Sequence, residues 1–466
     1  MQQLNLLARL PLAEGVFALW RLCLPEERLQ AIYQQRRGRC YEKAISFPLV
    51  VQLLADALCQ YGGSGRASFE HAQQQQQLEA TVAAAYGKLR RMPIAVSEAL
   101  VQNCSAPLGV LYPATAEREL PPCVQGFEVM IVDGKAIKRV AKRLKVLRGR
   151  KGGVLGGRAL VSLSMRSGLA VAMVAHPDGE INDVRLLPQL LPQVRQRQQR
   201  LRLWIGDRGF CDLKQPALFC EGGDHFLVRQ HRKLHFMPEA ERSAHSGQDA
   251  QGRQWVEDWG WVGSPRDKRR RYVRRIRLRL SAQEELTLLT SLLEAQRYPA
   301  AALLELYRQR WGIERVFQQV TEVFGLQGLI GSSPQASVFQ LAFCLMLYNL
   351  MQVLRGYVAA GNGRACEEVS VEKLFEDVER ELVAWSVLGS VRETTEWFAR
   401  SLGPEQLRRR LSQRVGRLWR ERWKKAPPQQ RRARVPHSRE VCQHTSVHRI
   451  LEQCRRQQQM KSRHEK

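Results

Sequence analysis

Two aspartates and one glutamate stand where this chain could do chemistry. Asp133 ends the apolar run Phe127-Glu-Val-Met-Ile-Val132, and Asp207 ends Leu201-Arg-Leu-Trp-Ile-Gly206. Each run reads as a buried strand, and an open α/β sheet places its functional groups at the carboxyl ends of such strands. A glycine follows each within two residues, Gly134 and Gly209, which lets the backbone turn and leaves the carboxylate accessible. Lys135 and Arg208 bring positive charge beside them. Taken alone, each is also an ordinary turn aspartate. Glu314 comes from a different element. Tyr307, Arg310 and Glu314 are spaced three and four apart, so they share one helix face over two turns. The plain alternative is a helix face with an Arg310–Glu314 ion pair, worth about 0.2–0.5 kcal/mol.

Three convergent carboxylates would have a definite use. Hard cations such as Mg²⁺ or Mn²⁺ take oxygen ligands and keep several waters, so two or three carboxylates plus a substrate phosphate suffice. Two such ions about 4 Å apart can activate an attacking oxygen and stabilise a leaving one in a displacement at phosphorus.

The elements that must position these groups follow from the pattern along the chain. Residues 1 to about 125 read as helical, with an apolar helix over Phe47–Cys59 closed by Gly62-Gly-Ser-Gly-Arg66 and Ser68 capping the next. Lys88, Arg90 and Arg91 precede Pro93, as in a helix-turn-helix DNA reader, although any small helical bundle looks alike. From about 126 the order is the Asp133 strand, a hairpin near Gly168, a helix capped at Asn182 or Asp183, and the Asp207 strand. That order makes an α/β domain with a mixed sheet. Residues 225–292 are strand-rich. There Ile276, Leu278 and Leu280 alternate with Arg275, Arg277 and Arg279, which gives a row of guanidinium groups for a polyanion or a charge-protected edge strand. One long helix runs from Pro299 to Gly325 and an apolar one from about 334 to 356. Trp255, Trp259 and Trp261 read as core more readily than as exposed rings free to stack, and Trp311 reads as core.

Composition bounds the partners. The 466 residues carry 73 Lys+Arg against 45 Asp+Glu, a formal charge of +28, so a polyanion is expected: nucleic acid first, an anionic membrane surface second. A hydrophobic fraction of 44 % excludes pervasive disorder. The most apolar stretch, 338–354, is too short and too polar for a span and reads as a buried core helix, so no membrane is expected. Eleven scattered cysteines without a C-x-x-C exclude a disulfide framework and point to a reducing, cytoplasmic compartment. Cys442, His444, His448 and Cys454 are zinc-ligand types, but their spacing fits no common finger. Residues 134–158 hold ten Lys+Arg and no acid, and residues 401–466 hold 19 against five glutamates. This tail reads as largely extended or flexible and as one part of a salt-sensitive footprint.

The blocks V-D-G-K at 132–135, I-G-D-R-G-F at 205–210 and Y-R-Q-R-W-G-I-E at 307–314 resemble the DDE transposases of bacterial insertion sequences. The resemblance is to the branch whose third motif reads Y-x2-R-x3-E-x6-K, and it covers about 126–355. The separations of 74 and 107 residues between the three carboxylates agree with that branch. It implies a ribonuclease-H-like mixed sheet with flanking helices, a β-rich insertion at about 225–292 before the glutamate, and helical terminal regions. The domains would be 1–125, a DNA-binding region; 126–355, catalytic; and 356–466, helical to flexible and basic. Asp133, Asp207 and Glu314 would be both catalytic residues and ligands of two Mg²⁺ ions, with Mn²⁺ substituting. Asp133 would bridge the two ions. Tyr307 and Arg310 would hold a DNA phosphate near the cut, and Lys135, Arg208, Arg275, Arg277 and Arg279 would contact DNA. The partners implied are double-stranded DNA, both element ends and target, and a second copy in the complex; the setting is prokaryotic and nucleoid-associated. Water attack would free a 3′-hydroxyl that then attacks target DNA. The branch's lysine falls at Thr321, a departure that leaves a non-catalytic DNA-binding copy as one alternative and a metal-dependent nuclease as another.

Overall fold

The structure is a computed structural model that describes residues 2–464 except 41, 139, 141, 151, 198, 213, 325–330, 389–393, 395–397, 399–402 and 427–443. Its centre is a mixed sheet. The strands in chain order are β1 (Glu128–Ala136), β2 (Val154–Leu155), β3 (Arg158–Ser164), β4 (Ala170–His176), β5 (Arg202–Gly206) and β6 (His225–Arg229). They continue with β7 (Phe236–Pro238), β8 (His245–Gln248), β9 (Gln254–Val262), β10 (Arg271–Arg279), β11 (Glu285–Thr290) and β12 (Thr445–Ser446). Ten strands form the main sheet among the described residues, in the order β4-β3-β1-β5-β6-β11-β10-β9-β7, with β8 beside β9.

The first five strands of that order make the mixed core of the sheet. β1, β3 and β4 are antiparallel neighbours, whereas β5 and β6 run parallel to β1. The expected hairpin is β3–β4, with Gly168 at φ +72°. The insertion does not form a separate unit: β11 pairs with β6, so β7–β11 extend the core sheet sideways.

Alternation along β1 explains why the sheet is covered on both faces. Val129 and Ile131 join one apolar cluster with helices Ile94–Leu111 and Pro334–Gly361, while Met130 and Val132 join a second with helix Leu187–Arg195. The first cluster reaches from Leu7 to Trp423, so the seven N-terminal helices described between Gln2 and Leu111 share the core of the sheet. Ile94–Leu111 and Pro334–Gly361 are long and apolar enough to cross a membrane by length and composition, but the second is wholly buried in the fold and the first half buried.

Several local expectations are corrected. Ser64, not Ser68, caps helix Gly65–Gln74 by accepting from Ala67 N–H; Ser68 is buried and donates to the Leu53 carbonyl. The helix after Pro299 is interrupted: Ala300–Arg308, a 3₁₀ turn Gln309–Trp311, then Gly312–Glu322, and its expected end at Gly325 lies outside the described residues. Trp311 is not core: it is 59 % exposed, on the side it shares with exposed Arg308, Arg315 and Gln318. The described part of the tail contains helices Pro404–Arg414 and Val447–His464, and Cys442 lies outside the described residues.

The arginine row on β10 is also altered. Arg275 and Arg277 share Asp258, with Arg275 bidentate, Arg279 is exposed, and Leu280 lies beyond the strand with 40 % exposure. On the inward face, beside Ile276 and Leu278, sits Arg274, fully buried and paired with buried Glu257 of β9. Arg274 also donates to the Tyr298 carbonyl at 2.6 Å, just before helix Ala300–Arg308 begins. Removing one member of such a pair strands the other charge, so Arg274→Ala should cost about 3–5 kcal/mol in chemical denaturation. Arg279→Ala should stay within about 0.5 kcal/mol of the parent.

Candidate active site

Register alone brings the two aspartates together. In the parallel pair β1–β5, Ile131 lies opposite Ile205, and Asp133 and Asp207 each come two residues later. Side chains two apart share a face, so both carboxylates stand level on the face that carries Ile131 and Ile205. Helix Gly312–Glu322 packs on that same face through Ile313, Val316, Phe317 and Val320, and it carries Glu314.

Asp133 is held by few groups. Its Oδ1 accepts from Gly134 N–H at 2.8 Å, and its Oδ2 faces the Arg310 guanidinium at 3.5 Å. Burial pushes its pKa up to about 7; Arg310 opposes the rise and the nearby negative charge of Asp207 adds to it. Asp207 sits at the start of the 3₁₀ turn Arg208–Phe210, where its Oδ1 accepts from Gly209 N–H at 2.7 Å. Glu314 is half exposed and accepts from Arg310 at 3.0 Å. Arg310, nearly buried, therefore bridges Asp133 and Glu314, an arrangement beyond the helix-face ion pair expected from spacing. Tyr307 is buried beside it, with the guanidinium 5.8 Å from the ring centre, and burial lifts the phenol to about 12.

The other expected site residues are placed as follows. Lys135 is half-buried on the Asp133 face, its ammonium 5.6 Å from the centre of the Phe317 ring, and burial lowers its pKa. No carboxylate lies within ion-pair distance of it among the described residues. Arg208 is exposed at the Asp207 turn. Arg275, Arg277 and Arg279 have no contact with the three carboxylates among the described residues. Thr321 donates its hydroxyl to the Phe317 carbonyl at 2.7 Å, so its side chain is turned back onto its own helix.

Two participants were missed from sequence. Arg229 ends β6, where Leu227 pairs with Ile205; it comes two residues past Leu227, level with the aspartates on a third parallel strand. Its charge acts on Tyr307. The run His225-Phe-Leu-Val-Arg229 carries the same signal as the aspartate strands, an apolar strand ending in a charge. The second is Asp183, which forms a bidentate pair with Arg158 under β1. Gly134 is in mid-strand rather than at a sharp turn, and its requirement is space: a Cβ there would lie 2.0 Å from Asp183 Oδ1. Gly134→Ala should therefore cost about 1–3 kcal/mol in thermal or chemical unfolding. Asp183→Ala in the same chain should recover part of that loss.

The donor set can be tested for a metal. Among the described residues no three His, Cys, Asp or Glu side chains are gathered closely enough to hold an ion as they stand. The chemistry nonetheless fits hard cations. All three donors are carboxylates, Asp133 and Asp207 repel each other across the strand ends, and the cation balancing Asp133 and Glu314 is Arg310. A cation bound among them would take over the role the guanidinium fills.

Among solved structures, a cryo-EM structure of a piggyBac transposase synaptic complex with hairpin DNA is similar over 86 % of this chain and 85 % of its own, with 9 % identity and a TM-score of 0.40. No curated protein matches the chain. Residues 125–350, the stretch that holds Asp133, Asp207, Tyr307, Arg310 and Glu314, match the family model of the transposase DDE domain.

Proposed function

We propose that this protein is a DNA transposase that cleaves the ends of a mobile element and joins the freed 3′-hydroxyl to target DNA. The observation that carries the reading lies inside the matched domain: two aspartates level on adjacent parallel strands, with a glutamate tied to the first through Arg310. We read the chain as belonging to the bacterial insertion-sequence branch with the Y-x2-R-x3-E motif, acting as a dimer on duplex DNA in the cytoplasm.

Asp133, Asp207 and Glu314 would hold divalent cations, Mg²⁺ or Mn²⁺ and two per site, which supply activation of the attacking oxygen and charge neutralisation at the leaving oxygen. The chain's own residues do the rest. The carboxylates fix where the phosphate must lie, because phosphate reaches a cluster of negative charge only with compensation. Arg229, Lys135 and Arg310 supply fixed positive charge on that side of the sheet. The Tyr307 hydroxyl, neutral at any working pH, can donate to a phosphate oxygen without adding charge. Exposed Trp311, next to Arg310, is available to stack on an unpaired base beside the cut, whereas Trp259 is buried and cannot.

The test is a duplex carrying the DNA that flanks this reading frame, incubated with Mg²⁺ or Mn²⁺ and then with EDTA. Nicking at the ends and joining into a second duplex, both lost in EDTA, support the proposal. Cleavage without joining indicates a nuclease. Binding without either reaction indicates a non-catalytic DNA-binding protein, the reading that Thr321 favours.

A further inference from the structure

The C-terminal helix is clasped to the loop that leaves the catalytic strand. β12 pairs in parallel with β2, Thr445 opposite Val154 and Ser446 opposite Leu155. Val447 and Ile450 close a small apolar cluster with Leu147 and Val154, separate from both large cores. Polar contacts fix the junction. Ser446 N–H donates to Glu180 at 2.7 Å, Ser446 Oγ accepts from Gly179 N–H at 3.1 Å, and Arg449 pairs with both Asp178 and Glu180. These contacts engage Asp178 and Glu180, and Glu452 on the helix itself faces His448 at 3.4 Å.

The cations around the clasp are left without acids. Lys138, Lys142, Arg143, Lys145, Arg148 and Arg150 are exposed on the loop between β1 and β2, and none is within ion-pair distance of a carboxylate among the described residues. Lys142 is turned onto the Arg150 and Gly152 carbonyls, which stiffens the loop without neutralising it. Arg455 and Arg456 stand exposed on the docked helix, likewise without a carboxylate partner among the described residues. Like charges do not gather on two elements without cost, and here an apolar seam and two strand residues hold them side by side.

We infer that the 138–150 loop and helix Val447–His464 form one composite phosphate-binding surface that grips duplex DNA flanking the catalytic site, with the clasp rather than the tail's charge alone creating it. The inference rests on the DNA-acting reading above and deepens it. The loop begins two residues after β1 ends, so DNA held there lies along the path to Asp133. A docked surface presents cations at fixed spacing and neutralises several phosphates at once.

Two full-length variants test it, with a 30-base-pair duplex of arbitrary sequence and fluorescence anisotropy across a KCl series. Val447→Asn with Ile450→Asn undocks the helix at unchanged charge; it should weaken binding about tenfold and flatten the dependence of log K on log salt. Arg455→Gln with Arg456→Gln should flatten that slope by about 2. The clasp cluster is separate from the main cores, so the melting curve of the body should not move in either variant. If the undocked variant keeps wild-type affinity and slope, the clasp does not make the surface and the inference fails. If the wild type binds anionic phospholipid vesicles through these residues and not the duplex, the surface serves a membrane and the inference again fails. If the wild type binds no duplex and no vesicle, the DNA-acting reading itself has failed, which separates that outcome from the others.

Discussion

Replacing Asp133 with asparagine should abolish DNA cleavage and joining, by about 10³-fold or more, while making the fold more resistant to unfolding above pH 7. The two effects have one cause. Burial lifts the Asp133 pKa to about 7, so between roughly pH 4 and 7 the folded protein holds a proton that the unfolded chain releases. Stability contributed by that proton is present at low pH and lost as the pH rises through this window. Above pH 7 the folded state carries the full cost of a buried, ionised carboxylate, on the order of a few kcal/mol, and Arg310 offsets only part of it. Asparagine keeps the shape and the acceptor for Gly134 N–H but has no charge to bury. Urea unfolding in EDTA at pH 8 should place Asp133→Asn above the wild type, with the difference shrinking toward pH 4. An ordinary structural aspartate would give the opposite sign.

Arg310→Gln should lower strand cleavage by about 10²-fold and shift its optimum to higher pH. Arg310 is the positive charge that holds the Asp133 pKa down; without it the carboxyl ionises later. Lysine should rescue poorly, because a point charge cannot replace a planar fork that spans Asp133 and Glu314. Divalent-ion binding should move the other way. With the competing guanidinium gone, Mn²⁺ should bind at least as tightly at pH 8.5 as to the wild type, followed by paramagnetic resonance of the free ion. A loss of Mn²⁺ binding as large as that of Asp133→Asn would mean that Arg310 builds the site rather than balancing it.

Much of the site was legible because it rests on local rules. An apolar strand that ends in a charge marks the Asp133 and Asp207 positions, and three-and-four spacing puts Tyr307, Arg310 and Glu314 on one face. What a single segment could not reveal is pairing between segments. The level placement of Arg229 depends on β6 lying beside β5, and the bridge from Arg310 to Asp133 spans 177 residues of sequence. The space that Gly134 must leave is set by Asp183, on another element altogether. Strict alternation misled on β10, since Arg274 occupies an inward position that Glu257 of the neighbouring strand and the Tyr298 carbonyl make tolerable. Trp311 misled through its type: an apolar ring suggests burial, whereas three, four and seven residues from it stand Arg308, Arg315 and Gln318, the exposed side of the helix. The succession of strand, hairpin, helix and strand in a mixed sheet followed from the element pattern, but the order of strands within the sheet and the β6–β11 pairing that extends it had to be seen.

The central claim is that three carboxylates from three elements act as one metal-dependent phosphoryl-transfer site. Its most direct test is strand joining by Glu314→Gln in Mg²⁺, with duplex binding measured on the same preparation. Glu314 is half exposed and among the described residues pairs only with Arg310, so the substitution should leave the fold and duplex affinity unchanged. The account predicts normal binding and no joined product. Joining at the wild-type rate would contradict it.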